Sequence, residues 1–232
     1  SLFRMKHQYL GDTRDLFKYD LIELLLSRHP SLDQAFFITM LTPDDGSGHG
    51  ERADYSRAKA GYLNSALSGF LSRLRDARTR NCFLIRDYFS ERSLQVNIER
   101  SHFTHHGREE YFSRIARKVR MLSHSLIFLD PDTGLEVAVP TSAHLLYAEV
   151  SLVTRAAGRG SIVMIYQHIP RTPRIPYIEA RCASLSEHTG FSTSWISDGQ
   201  VVFFFLCGEY GVRKDLEACL VEYRRRYPLL LS

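Results

Sequence analysis

The apolar run Ser125-Leu126-Ile127-Phe128-Leu129 ends abruptly in Asp130-Pro131-Asp132-Thr133-Gly134-Leu135-Glu136. An ionised carboxylate only accepts hydrogen bonds, so Asp130 at the end of a buried strand can hold an amine donor and draw charge from its nitrogen. Pro131 would shape the pocket, and positioning would do most of the work without a metal. The same acids support a different chemistry. Asp130, Asp132 and Glu136 offer the oxygen ligands that a hard cation such as Mg²⁺ prefers, as in a metal-dependent nuclease, although no Glu-x-Lys follows them. A second candidate is Asp44-Asp45-Gly46-Ser47-Gly48-His49-Gly50, which follows another apolar run at 35–41. Its glycines permit positive φ and close backbone approach to a ligand. Asp44, Asp45, Gly46, Gly48 and Gly50 are therefore candidate cofactor contacts, with Glu91, or Glu99 at the end of the next strand, available for ribose hydroxyls. A third feature, Gly11-Asp12-Thr13-Arg14-Asp15-Leu16-Phe17-Lys18, carries a lysine able to reach into a cofactor or substrate site.

Other chemistries are disfavoured. Cys82, Cys182, Cys207 and Cys219 form no C-x-x-C pair, which argues against zinc. Two of them lie in apolar runs, where a thiol acts as a small hydrophobe. With no secretory leader in view, the sequence predicts a reducing, cytoplasmic setting. The longest apolar runs, such as 201–207, fall far short of the ~20 residues that cross a bilayer, so no membrane partner is expected. Lysine and arginine exceed aspartate and glutamate by 30 to 26, a net charge of +4 over 232 residues. That permits RNA or DNA as a partner without requiring it. Arginine-rich stretches at 114–120 and 224–226 would supply the contacts.

These residues need elements to position them. Apolar spacing predicts helices over 13–28, 54–78, 108–121, 141–156, 176–188 and 211–225. It predicts buried strands over 35–41, 82–89, 125–129 and 161–166, a weaker one over 94–98, and a closing pair over 192–196 and 200–207. Ser197-Asp198-Gly199 joins that pair as a tight hairpin. Strands that are apolar throughout have both faces covered. The expected fold is thus α/β, a doubly wound, mostly parallel sheet with a C-terminal antiparallel hairpin at its edge. One Rossmann-like domain spans 1–232, with an N-terminal helical extension over about 1–34. Ligands of such sheets bind beyond the carboxyl ends of the strands, where both acidic segments fall.

The spacing Asp44-x-Gly46-x-Gly48-x-Gly50 resembles the acidic glycine loop with which methyltransferases hold S-adenosylmethionine, with Thr42-Pro43 set between strand and loop. The order of elements, down to the terminal hairpin, is similar to that of class I S-adenosylmethionine-dependent methyltransferases. Gly11, Asp15 and Lys18 resemble the N-terminal signature of the large-subunit ribosomal RNA adenine-N6 methyltransferase family. Tyr55 compares with the aromatic after that family's glycine loop, and Asp130-Pro131 with its Asp-Pro-Pro-Tyr site. Tyr19 stands where that family has histidine. Asp132-Thr133 replaces its Pro-Tyr, and with it the aromatic that would stack on a flipped adenine. The resemblance implies an amine methyltransferase using S-adenosylmethionine, with Asp130, Pro131, Asp132 and Lys18 at the reacting centre. The missing aromatic also fits a non-catalytic binding protein that kept this fold.

Overall fold

Helix α1 (Thr13–Arg28) opens on Asp12, whose carboxylate accepts from the backbone N–H groups of Arg14 and Asp15. These two donors have no intrahelical partner, so the cap fixes where the helix begins. The computed structural model describes residues 12–40, 54–76 and 81–232. Leu16, Leu21, Ile22 and Leu25 of α1 are fully buried, so the helix expected as an extension belongs to the core.

The main sheet has six strands: β1 (Gln34–Thr39), β2 (Gln95–Ile98), β3 (Ser125–Asp130), β6 (Ile162–His168), β7 (Thr193–Ser197) and β8 (Val201–Leu206), in the order β2-β1-β3-β6-β8-β7. A separate two-residue ladder pairs β4 (Gly134–Leu135) with β5 (His144–Leu145). In the six-stranded sheet β1 pairs in parallel with β2 and β3, and β3 with β6. Strand β8 runs against both β6 and β7. The hairpin is therefore present, but the antiparallel strand lies one in from the edge, and the edge strand β7 runs with the parallel set.

Alternation along the strands divides the core. Phe37, Leu126, Phe128, Met164, Phe203 and Phe205 face α1, α2 (Ser65–Asp76), α3 (Ile85–Ser90) and α7 (Tyr210–Arg226). Their neighbours Phe36, Ile38, Ile127, Leu129, Ile165 and Phe204 face α4 (Arg108–Arg120), α5 (Tyr147–Ala156) and α6 (Arg174–Thr189). Helices on both faces explain why these strands lack the polar alternation of a half-exposed sheet.

Two expected elements differ. Residues 82–89 are not a strand but a 3₁₀ turn (Cys82–Leu84) running into α3. Ile85, Tyr88 and Phe89 are buried at helical spacing while Arg86 and Asp87 are exposed, and Asn81 caps the turn through Phe83 N–H. The strand is the weaker candidate, β2. Likewise 54–78 is not one helix. A 3₁₀ turn (Tyr55–Arg57) is followed by a break before α2. Gly61 has φ +77°, and a Cβ there would sit 2.7 Å from the Leu16 carbonyl oxygen. Only glycine allows that approach to α1. Asn64 then restarts the helix by accepting from Leu67 N–H. Helix α5 begins later than the spacing predicts, because 144–145 forms β5.

Candidate active site

Strand β1 is the point where the winding reverses. The chain leaves it for β2 on one side and returns to β3 on the other. A crevice opens between the carboxyl ends of β1 and β3 at such a switch point, and ligands of open α/β sheets bind there. Thr39 and Asp130 are register partners at that end.

Asp130 projects from this edge with 18% of its side chain exposed. Its Oδ2 accepts from Lys18 Nζ at 2.9 Å, and the same ammonium donates to Asp15 Oδ1 at 3.0 Å. Both interactions reach back to the first turns of α1, which runs from the carboxyl edge of the sheet. Around Lys18 Nζ stand the rings of Tyr19, Phe128 and Tyr166, with centroids at 5.2, 5.8 and 5.6 Å. Ring faces attract a cation, and more so when water is excluded. Burial opposes the Lys18 charge, but the carboxylates of Asp130 and Asp15 outweigh it and hold the ammonium well above its usual range. Lys18 stays protonated, so it is a hydrogen-bond donor and not a base.

Asp15 and Asp130 share this one ammonium and Asp12 stands beside them, and the acids respond accordingly. Asp130 is pushed up by burial, against the pull of Lys18. Asp12 rises to about 6, through burial and then the charge of Asp15. The linkage sign follows. With a folded value above 3.8, the native state binds more protons than the unfolded chain between about pH 4 and 6, so this group costs stability as pH rises through that window. Asp12→Asn keeps an oxygen for the cap but does not titrate. Denaturant midpoints measured against pH should show a flatter profile between 4 and 6 in the variant; an unchanged profile would remove Asp12 from the charge cluster.

The loop after Asp130 is pinned from the neighbouring strand. Gln167, buried on β6, accepts from Leu135 N–H at 2.7 Å and donates to the His168 carbonyl at 2.7 Å. Gly134 has φ +136°, and a Cβ there would fall 2.4 Å from Gln167. Beside it, Arg14 Nη2 reaches His168 Nε2 at 3.3 Å. Burial and then Arg14 hold His168 below its usual range, so its neutral ring accepts from the guanidinium.

The structure thus brings Lys18 and Asp130 together, with Pro131 buried and Asp132 exposed on the adjoining loop. Asp44, Asp45, Gly46, Gly48 and Gly50 lie outside the described residues. Glu91 is placed elsewhere. It follows α3 and precedes β2, at the amino end of the sheet, with 67% of its side chain exposed and Arg92 at 4.0 Å. The acid at the carboxyl end of β2 is Glu99. Burial opposes its ionisation, but hydrogen bonds from Lys118, at 2.6 Å, and from Ser101 overcome this and hold it below the usual range. Asp12, Arg14, Gln167 and His168 were not singled out in the sequence. The available signal was Gln167-His168 at the end of another apolar run, the pattern that marks Asp130.

The acids proposed for Mg²⁺ do not gather. Glu136 Oε2 accepts from Tyr147 N–H at the first turn of α5, and Asp130 is held by Lys18. Among the described residues, no three His, Cys, Asp or Glu side chains are grouped as a metal would need. All four cysteines are free, and burial pushes Cys82 to about 12 and the other three to about 11, which keeps them protonated and unreactive. The arginine stretches also separate. Helix α4 carries Arg117 and Arg120 toward the amino end of the sheet, whereas Arg224–Arg226 end α7 at the carboxyl edge on the opposite face. Among the described residues no helix is long and apolar enough to cross a membrane. Comparison with protein-family models, curated proteins and solved structures yields no match.

Proposed function

We propose that the chain is an S-adenosylmethionine-dependent methyltransferase acting on an amine, with a Rossmann-like methyltransferase fold. The observation that carries this reading is Asp130, an acid fixed at the carboxyl end of the central strand β3 at the switch point. The strand winding and the terminal hairpin accord with the resemblance in the sequence. In sequence the glycines of 44–50 follow β1, an order that suits a loop holding a cofactor, and Glu99 follows β2 at the carboxyl edge of the sheet. Asp12, Asp15 and Asp130 against Lys18 and Arg14 leave one surplus negative charge, which favours a cationic sulfonium and an amine donor over an anion. One carboxylate oxygen of Asp130 takes Lys18. The other would accept the target N–H and take the proton the nitrogen sheds as its C–N bond forms, the S–C bond breaks and S-adenosylhomocysteine leaves. S-adenosylmethionine supplies an electrophilic methyl on sulfur; the chain's part is to position the amine against it.

The grip of Lys18 on Asp130 also favours a second reading, a binding protein that retains the fold and does not transfer a methyl group. Titration calorimetry with S-adenosylmethionine tests both. Saturable binding, competed by S-adenosylhomocysteine, is expected. Absence of heat at millimolar cofactor would sink the methyltransferase reading, and binding without turnover on any amine-bearing substrate would leave the second.

A further inference from the structure

Above the acidic floor of the crevice, on its β6–β8 side, cations from separate chain segments converge. Arg14 on α1 meets His168 at the end of β6. The next residue, Ile169, donates its N–H to the Gln200 carbonyl in the β7–β8 turn. Lys59 Nζ donates to the Asp198 carbonyl in that turn at 2.6 Å. Arg174 lies across Gly199 of the same turn, 3.2 Å from where a Cβ would stand. Arg171 and Arg174 are exposed, and Arg14 and Lys59 partly so. Among the described residues, two acids at this rim accept from backbone. Asp198 Oδ1 accepts from Gln200 and Val201 N–H, and Asp12 Oδ1 caps α1. Asp54 accepts from Ser56 N–H and pairs with Arg57.

We infer that this rim is a phosphate site, and that Arg14, Lys59, Arg171 and Arg174 hold a phosphate carried by the substrate that presents its amine to Asp130. An acidic floor beneath a basic rim separates the two ends of one molecule. The floor selects the amine and the rim selects the phosphate, as in a nucleotide or a nucleic-acid strand. Guanidinium groups suit phosphate oxygens because their donors form a planar fork. The substrate half of this inference rests on the methyltransferase reading; the phosphate site does not.

The test uses fluorescence anisotropy with labelled single-stranded RNA and DNA oligomers, and AMP as competitor, over a range of salt. Wild-type affinity should fall with salt, because each phosphate contact releases counterions. Arg171→Gln/Arg174→Gln should weaken binding about tenfold or more and lower the salt slope by about one to two. Lys59→Ala should shift affinity in the same direction. Arg117→Gln/Arg120→Gln on α4 should leave binding unchanged. Affinity that grows with oligomer length assigns the rim to a strand, and AMP competing as well as a long oligomer assigns it to a phosphomonoester; either supports the site. Loss confined to the α4 pair, wild-type affinity in the rim variants with an unchanged melting temperature, or no binding of any phosphate probe would overturn it. Cofactor calorimetry separates the two claims. Phosphate binding without S-adenosylmethionine binding leaves the site and removes the methyltransferase, and the converse removes the site alone.

Discussion

On the methyltransferase reading, Asp130→Asn is expected to lower methyl transfer by about a hundredfold or more, the scale of losing one preorganised electrostatic contact at a transition state. The substitution keeps the shape of the side chain. It removes the charge that draws on the target nitrogen, and it offers an NH₂ group where an acceptor is needed. It also leaves Lys18 with a neutral partner in place of the carboxylate 2.9 Å away. Asp15, at 3.0 Å, still holds the ammonium, so α1 should stay docked and the melting temperature should move little. Cofactor affinity should change much less than turnover, because on that reading Asp130 serves the amine. Single-turnover rates and calorimetry on the same preparation check this. Full activity in the variant would remove Asp130 from the reaction. Joint loss of folding and cofactor binding would make it a structural acid.

The sequence made the sheet readable wherever burial was complete on both faces. Phe203 to Leu206, Leu126 to Leu129 and Ile162 to Ile165 admit no polar residue, and all are strands. It was least readable where a short apolar cluster could satisfy either period. Ile85, Tyr88 and Phe89 lie at i, i+3 and i+4, but within a run this short they also pass for a strand. That misreading carries through to the site. If 82–89 is a strand, Glu91 stands at a carboxyl end; because the segment is helical, Glu91 falls at the amino end and Glu99 takes the carboxyl edge. Asp130 was legible because an acid terminating an apolar strand is a local pattern. Lys18 stands out through the resemblance, but its pairing with Asp130, 112 residues away, forms only once α1 packs on the sheet. The same holds for Arg14 and His168, which are 154 residues apart. Gly61 looked like an ordinary glycine inside a helix; its role is set by the Leu16 backbone, which no local window contains.

Removing Lys18 should be the most destabilising single change at this edge. Only 9% of its side chain is exposed, and it neutralises Asp15 and Asp130, exposed to 9% and 18%. Breaking a buried pair by deleting one partner costs about 3–5 kcal/mol, because the remaining charge is left without compensation. Lys18→Ala also empties the space between Tyr19, Phe128 and Tyr166. Lys18→Met fills that space and isolates the electrostatic part. Its penalty should depend on pH with a definite sign. Asp130 is already raised in the folded protein, and without the ammonium it rises further. The native state then binds more protons than the unfolded chain from about pH 4 upward, so stability falls as pH rises through that window and recovers on acidification. Urea midpoints of Lys18→Met and wild type should therefore converge between pH 7 and pH 4. Adding Asp130→Asn to Lys18→Met should restore part of the loss at pH 7, since two residues in contact do not act independently. A penalty below about 1 kcal/mol, within the range of a solvated surface pair, or one that does not change with pH, would show that the cluster is not the coupled buried charge described for it.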